Sequence, residues 1–182
     1  MTFIDYKYIT DEPFNVILPW ISVSDKKEYY KHDTLHTGID ILGNRAYSYS
    51  TGVVVAIAIQ LDRMTVTIQF DAKTLFRYAN LRSCDLDLGD IVSAGDRIGT
   101  CKGHLHFEYC TTDEKSLFPV HIGDMTYFKQ NPLPVLLGDV KLAANDFSKV
   151  TVNNYGTETV PDLNPAMQSE FDVDNSDSGD PS

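Results

Sequence analysis

Apolar and polar positions alternate with the two-residue period of β-strands through the middle of this chain. Residues 52–59 are mainly β-branched and apolar, residues 64–70 alternate apolar with polar side chains, and residues 74–81 continue in an aromatic, strand-like pattern. Asp62-Arg63 and Asp71-Ala72-Lys73 lie where hairpin turns are needed. No window in this region has the period of an amphipathic helix. The pattern therefore predicts a mainly β fold, with an antiparallel β-sheet core joined by short β-hairpins.

A Gly-Asp pair occurs at 89–90 and again at 95–96, each shortly before an apolar residue. Glycine adopts positive φ at low cost, and aspartate can accept hydrogen bonds from local amides. We predict two tight turns on either side of a very short strand. A phosphate-binding loop is not indicated, because no helix is predicted to follow.

The two ends of the chain differ from this middle part. Residues 1–30 lack clear periodicity and are interpreted as an irregular N-terminal lead-in, whereas the proline-containing segment 131–138 should close the folded domain at 31–140. Residues 141–156 are expected to form a peripheral segment. Residues 157–182 contain no lysine or arginine and several acidic residues. Such a segment buries too little apolar surface to offset its chain entropy, so it is predicted to be a disordered acidic tail.

Composition narrows the class of function. A chain of 182 residues with 42% hydrophobic residues can form one ordinary domain with a buried core. Its formal net charge of -11 would repel a polyanion, so nucleic acid is not an expected partner. The first residues do not contain a basic region followed by an apolar run, so we expect neither a secretory signal nor a membrane span.

The three cysteines do not form a Cys-x-x-Cys pair, and their odd number does not describe a disulfide scaffold. Cys101 and Cys110 could face each other across a hairpin. The simpler interpretation is that they are buried free thiols.

Two short motifs contain three of the five histidines of the chain. The first is His-Thr-Gly-Ile-Asp at 36–40, and the second is His-Leu-His-Phe-Glu at 104–108. In an extended chain His36 and Asp40 share a face, as do His104 and His106. Each motif alone has a simpler explanation, either a histidine held by an aspartate or a solvated strand face. If the two strands are neighbours, however, the four side chains converge. Two imidazoles and one carboxylate are a complete ligand set for a catalytic zinc with an open fourth position.

The order of the motifs resembles the lysostaphin-like, or LytM-type, zinc endopeptidases of peptidoglycan. The resemblance extends from about 36 to 138 and is carried by five segments. These are HTGIDI at 36–41, TGVV at 51–54, YANL at 78–81, the glycine turns GDIV at 89–92 and GDRIG at 95–99, and GHLHFEY at 103–109.

The resemblance implies an antiparallel β-sheet core with a groove, in which His36, Asp40 and His106 hold zinc. His104 would then be catalytic and not a ligand. The implied activity is cleavage of peptide bonds in the stems or cross-bridges of bacterial peptidoglycan. Zinc would be the cofactor, and cell-wall peptides the substrate.

Two departures from the family pattern affect this interpretation. Asn80 stands where the family has a second catalytic histidine. Asparagine can donate a hydrogen bond to an oxyanion, but it cannot transfer a proton near neutral pH, and loss of a general acid or base typically costs about 10²–10⁴ in rate. The segment 100–103 also suggests a shortened loop and a trimmed groove wall. His32 or His121 could compensate, although an ordinary surface role is simpler for both.

Three hypotheses follow. The retained ligand set favours an active zinc endopeptidase, acting as a phage-borne or lysis-associated wall hydrolase. The alternative is a catalytically weak or inactive peptidase-fold module, a structural or binding component of a larger assembly such as a phage tail or injection apparatus. A carrier-like β domain is the third, but it needs a modifiable lysine at a hairpin tip, and no obvious candidate is present.

Overall fold

The computed structural model describes residues 2–20, 36–60, 62–142 and 158–159. Within them the chain forms one antiparallel sheet of eleven strands. The strands are β1 Val16–Leu18, β2 Ile39–Leu42, β3 Arg45–Tyr47, β4 Gly52–Gln60, β5 Arg63–Asp71, β6 Thr74–Cys84, β7 Ile91–Val92, β8 Arg97–Thr111, β9 Pro119–Ile122, β10 Met125–Gln130 and β11 Glu158–Thr159. A 3-10 turn at Tyr6–Tyr8 and a short helix, α1, at Leu133–Leu136 complete the described elements. The prediction of a mainly β fold is confirmed.

The main path through the sheet has the order β11-β9-β10-β8-β6-β5-β4-β7. The turns predicted at 62–63 and 71–73 connect β4 to β5 and β5 to β6. The two Gly-Asp turns flank β7, which is only two residues long, as their spacing predicted. Backbone N–H groups within each Gly-Asp turn bond to the aspartate carboxylates, which explains the choice of aspartate there.

Strand β8 pairs with more strands than any other strand in the described part of the chain. It is fifteen residues long and pairs along one side with β6. Along its other side it pairs successively with β3, β2 and β10. Residues 100–103, expected to be a shortened loop, lie inside β8, so that expectation was wrong. Gly99 precedes them without interrupting the strand, because β3 and β6 hold the backbone on both sides.

The main hydrophobic core lies on one face of the sheet. Leu105 and Phe107 of β8 are buried in it, and Phe107 stacks on Phe76 of β6 at a ring separation of 5.7 Å. Ile9 from the N-terminal segment and Val135 from α1 belong to the same cluster. The segments outside the main strands therefore cover this face and are needed for the core. Burial of one such side chain contributes about 1.5–3 kcal/mol.

The opposite face of β8 carries the even-numbered residues 104–110. A second apolar cluster on this face joins residues of β4, β6 and β8 to residues of β9 and β10: Val55, Ala56, Leu75, Cys110, Val120, Ile122 and Tyr127. Strands from distant parts of the sheet can meet in this way only if the sheet curls. Polar side chains next to Cys110 on β8 are consequently buried.

The terminal segments depart in part from expectation. Residues 2–20, within the expected irregular lead-in, include the 3-10 turn and β1, which pairs with β2. Glu158–Thr159, within the expected disordered tail, pair with β9 as β11. Residues 143–157 and 160–182 lie outside the described residues. Among the described helices, none has the length and apolar character needed to cross a lipid bilayer.

Candidate metal centre

Pairing of β2 with β8 brings the two histidine motifs together. Asp40 is directly opposite His106, and Leu42 is opposite His104. Asp40 Oδ1 lies 2.8 Å from His106 Nδ1 and 3.0 Å from His36 Nε2, and the two ring nitrogens are 3.1 Å apart. In the described part of the chain, His36, Asp40 and His106 are the group of metal-ligating side chains that meet in this way.

His36 reaches the site by a different route from the one predicted. It precedes β2, so strand alternation does not place it on the face of Asp40. Instead, the chain bends at Gly38 and lies directly against β8. A Cβ atom at Gly38 would lie 2.6 Å from the carbonyl oxygen of Phe107 and 2.8 Å from His106 Nε2. Only glycine permits this approach without displacing the His106 ring or the β8 backbone.

The hydrogen bonds behind the two imidazoles define their tautomers. His36 Nδ1 lies 2.7 Å from the carbonyl oxygen of Pro19, and His106 Nε2 lies 3.0 Å from Glu108 Oε1. Because both partner oxygens are acceptors, these ring nitrogens carry the hydrogens. His36 Nε2 and His106 Nδ1 therefore present lone pairs toward Asp40 Oδ1.

Three acceptor atoms that face one another repel unless a proton or a metal ion lies among them. Tetrahedral zinc with nitrogen and oxygen ligands at about 2.0 Å separates those ligands by about 3.3 Å. The observed separations of 2.8–3.1 Å are close to this value. The residues present therefore fit a zinc ion, with His36, Asp40 and His106 as its protein ligands.

The pKa shifts of Asp40 and His106 agree with a hydrogen-bonded pair. Burial alone would raise the pKa of Asp40, but hydrogen bonds from His106 and His36 outweigh it and hold the pKa well below its usual range. Burial alone would lower the pKa of His106, yet the hydrogen bonds to Asp40 and Glu108 raise it. Both shifts have the direction expected for an imidazole paired with a carboxylate.

Glu108 lies in a buried network behind His106. Its Oε2 pairs with Arg77, and its Oε1 accepts a hydrogen bond from Lys129 Nζ at 3.0 Å. Lys129 Nζ also donates to Thr37 Oγ1 at 3.1 Å. Burial would raise the pKa of Glu108, but the two cations outweigh it and keep the pKa well below its usual range.

His104 lies at the rim of the site. Its Nε2 is 3.4 Å from Asp40 Oδ2, the carboxylate oxygen that faces away from His36 and His106. Its side chain is 32% exposed, compared with 8% for His36, so it can meet a molecule arriving from solvent. Burial lowers the pKa of His104, and the Asp40 carboxylate only partly opposes this. A neutral imidazole is able to accept a proton.

Asn80 adopts an unusual conformation in β6. Its φ is 61°, the one positive value among the described non-glycine residues. Its Nδ2 donates to the carbonyl oxygen of His104 at 2.8 Å, and its Oδ1 is buried without a hydrogen-bond partner. The amide therefore holds the backbone of β8, while the metal ligands are arranged without it.

Other residues considered from the sequence do not join the site. The ring of His121 on β9 bonds to Thr126 Oγ1 at 2.9 Å, and His32 lies outside the described residues. Cys101 and Cys110 are buried and lie on the same strand, so they do not face each other across a hairpin.

Sequence reasoning missed the network around Glu108. The two-residue spacing from His106 to Glu108 is a signal, because it places both side chains on one face of β8. Arg77 is also visible as a charge within an apolar strand. Lys129 gives no local signal, since its role depends on the pairing of β10 with β8.

A separate cleft of about 910 Å³ lies between the N-terminal segment and β3. Tyr6, Tyr8, Phe14 and Tyr47 are among its lining residues, which include none of the candidate site residues. It is therefore distinct from the metal centre.

Comparison with known protein families gives a match over part of the chain. Residues 34–119 match peptidase family M23. No curated protein sequence matches the chain significantly.

Similar solved structures include two structures of the SpoIIQ–SpoIIIAH complex. One has 19% identity and a TM-score of 0.51 and covers 73% of this chain and 87% of its own. The other has 18% identity and a TM-score of 0.51, with coverages of 69% and 94%. The antimicrobial peptidase lysostaphin from Staphylococcus simulans has 23% identity, coverages of 57% and 44%, and a TM-score of 0.43. At these identities the complexes show a likeness of fold. The match over residues 34–119 supports the assignment of this segment to peptidase family M23, the lysostaphin-like family.

Proposed function

We propose that this protein is a zinc-dependent endopeptidase that cleaves peptide bonds in bacterial peptidoglycan. The main support is the convergence of His36 Nε2, Asp40 Oδ1 and His106 Nδ1 within 3.1 Å, in tautomers that leave their lone pairs free. The match to a peptidase family supports the reaction class. Peptidoglycan is the substrate that the resemblance to lysostaphin-like enzymes implies.

Each candidate side chain has a separate task in this proposal. His36, Asp40 and His106 hold the metal. When bound, zinc polarises a carbonyl group and lowers the pKa of a bound water toward neutrality. His104 Nε2 accepts a proton at the open side of the site and returns it to the leaving amine. Asn80 cannot transfer protons, so it acts through the backbone of His104.

Zinc analysis combined with digestion of purified peptidoglycan tests the proposal. We expect one zinc per chain and release of peptides carrying new amino termini. His36→Ala and Asp40→Ala should lose both properties, while the matched variant His121→Ala should keep both. Absence of zinc from the wild type after reconstitution would contradict the metal site. Zinc binding without peptide release would contradict the enzyme.

The second candidate function is a binding or assembly module that retains the peptidase fold. Asn80 favours this alternative, because it stands in place of the family's proton-transfer histidine. Its side-chain amide also donates a hydrogen bond to the β8 backbone at His104. The fold is compatible with assembly, since the SpoIIQ–SpoIIIAH structures that resemble this chain are complexes. A phage tail or injection apparatus is the setting we propose for such a module. Its presence in purified virions, together with inactive zinc-loaded protein, would support this candidate over the enzyme.

A further inference from the structure

Glu108 contacts the metal centre only through His106. Its Oε1 accepts from His106 Nε2 at 3.0 Å, while the opposite ring nitrogen, Nδ1, faces Asp40 and His36. An imidazole that carries its hydrogen on Nε2 has its lone pair on Nδ1, where a metal ligand needs it. The position of this one hydrogen therefore decides whether His106 can bind a metal.

The surroundings of Glu108 restrict it to an acceptor role. Arg77, Lys129 and His106 all donate to its carboxylate, and its side chain is only 5% exposed. Neither Arg77 nor Lys129 has an acceptor atom with which to replace it. No other hydrogen-bond acceptor is observed for His106 Nε2 in the described part of the chain.

The same network reaches the first histidine motif. Lys129 Nζ bridges Glu108 Oε1 and Thr37 Oγ1, and Thr37 directly follows His36 in the chain. One ammonium group thus ties the segment that carries His36 to the strand that carries His106. The Lys129 contacts lie on the side of His106 opposite the proposed metal position, and they fix the two ligand-bearing segments relative to each other.

We propose that Glu108, held by Arg77 and Lys129, is the positioning residue that fixes His106 in its metal-binding tautomer. This inference rests on the proposed metal site but not on peptidase activity. Loss of the partner behind a metal-ligating histidine typically weakens metal binding about 10- to 100-fold.

Glu108→Gln is the sharpest variant, because it preserves size and removes the charge. The amide nitrogen then faces either Arg77 or the pair His106 and Lys129, and in both orientations the acceptor of the His106 hydrogen bond loses its negative charge. Lys129→Met leaves the carboxylate that contacts His106 in place and removes the ammonium group that bridges Glu108 and Thr37. Asp85→Asn is the matched control, since it changes an exposed carboxylate that pairs with Arg97 at the start of β8, 2.9 Å away.

Two measurements decide the proposal. Nitrogen NMR of metal-free wild type in alkaline buffer should show His106 with its hydrogen on Nε2. Competition with a zinc chelator should show affinity reduced about 10- to 100-fold in Glu108→Gln, less in Lys129→Met, and not at all in Asp85→Asn. In Glu108→Gln we expect the hydrogen of His106 to redistribute toward Nδ1.

The proposal is overturned if metal-free wild type carries the hydrogen on Nδ1, a result that needs no variant to fold. It is also overturned if Glu108→Gln keeps both the wild-type tautomer and the zinc affinity of the control. Failure to cleave peptidoglycan would affect neither readout. Failure of wild type to bind zinc would remove the proposed function, while the tautomer measurement would still decide the role of Glu108.

Discussion

Asn80 Nδ2 donates a hydrogen bond to the carbonyl oxygen of His104, 2.8 Å away, from a residue in the left-handed backbone region. Asparagine and histidine are both enriched among non-glycine residues with positive φ, because their side chains tolerate this conformation. The position can therefore accept the family's histidine without a change of backbone. The hydrogen bond to β8 is the interaction that such a replacement puts at risk.

We predict that Asn80→His keeps its zinc and gains hydrolytic activity. Restoring a proton-transfer group is typically worth about 10²–10⁴ in rate. Peptide release from purified peptidoglycan measures the gain, and metal analysis measures the zinc. Asn80→Ala serves as the control, because it also loses the bond to His104 but gains no imidazole. Equal activity in both variants would show that position 80 takes no part in proton transfer.

We predict that His104→Ala retains zinc and loses hydrolysis. Its imidazole contacts Asp40 Oδ2 and not the point at which the three ligand atoms meet. The rate should fall by about 10²–10⁴, because a general acid or base is removed. His106→Ala, two residues further along the same strand face, should lose the metal itself. Equal zinc loss in the two variants would place His104 among the ligands.

We predict that Gly38→Ala weakens zinc binding by more than the accompanying loss of folding stability can explain. The added methyl group would overlap the His106 ring and the carbonyl oxygen of Phe107. Zinc affinity and thermal unfolding should be measured together. Gly89→Ala is the control, because that glycine has φ of 88° and open space around its Cβ position. It should lose stability through backbone strain and keep its zinc affinity.

We predict opposite pH trends for the metal-free and zinc-loaded proteins. The folded-state pKa of His106 is raised by its bonds to Asp40 and Glu108. The stability it contributes is complete below the unfolded pKa of about 6.5 and is lost as pH rises through the folded value. Zinc binding should instead strengthen over the same range, because metal and proton compete for Nδ1. Urea unfolding from pH 6 upward, with and without zinc, measures both trends. Parallel trends would contradict the assigned pairing.

The sequence predicted the central strands β4, β5 and β6 because their apolar and β-branched residues are separated by short turns. The two motifs were predicted to converge if their strands were neighbours. The pairing of β2 with β8, which places Asp40 opposite His106, meets that condition. The sequence did not predict how His36 arrives, since that depends on the close approach of Gly38 to β8. Nor did it reveal Lys129, whose contact with Glu108 exists only after β10 joins the sheet. Local periodicity defines strands, whereas such contacts depend on how distant segments pack.

The position of the candidate ligands on β2 and β8 couples metal capture to completion of the fold. Asp40 and His106 are 66 residues apart in the chain, so closing this contact carries a large entropic cost that other strand pairs must offset first. A partly folded chain cannot present the complete ligand set. Zinc binding would thus arise only in molecules whose sheet is already assembled, and zinc affinity would report completion of the fold.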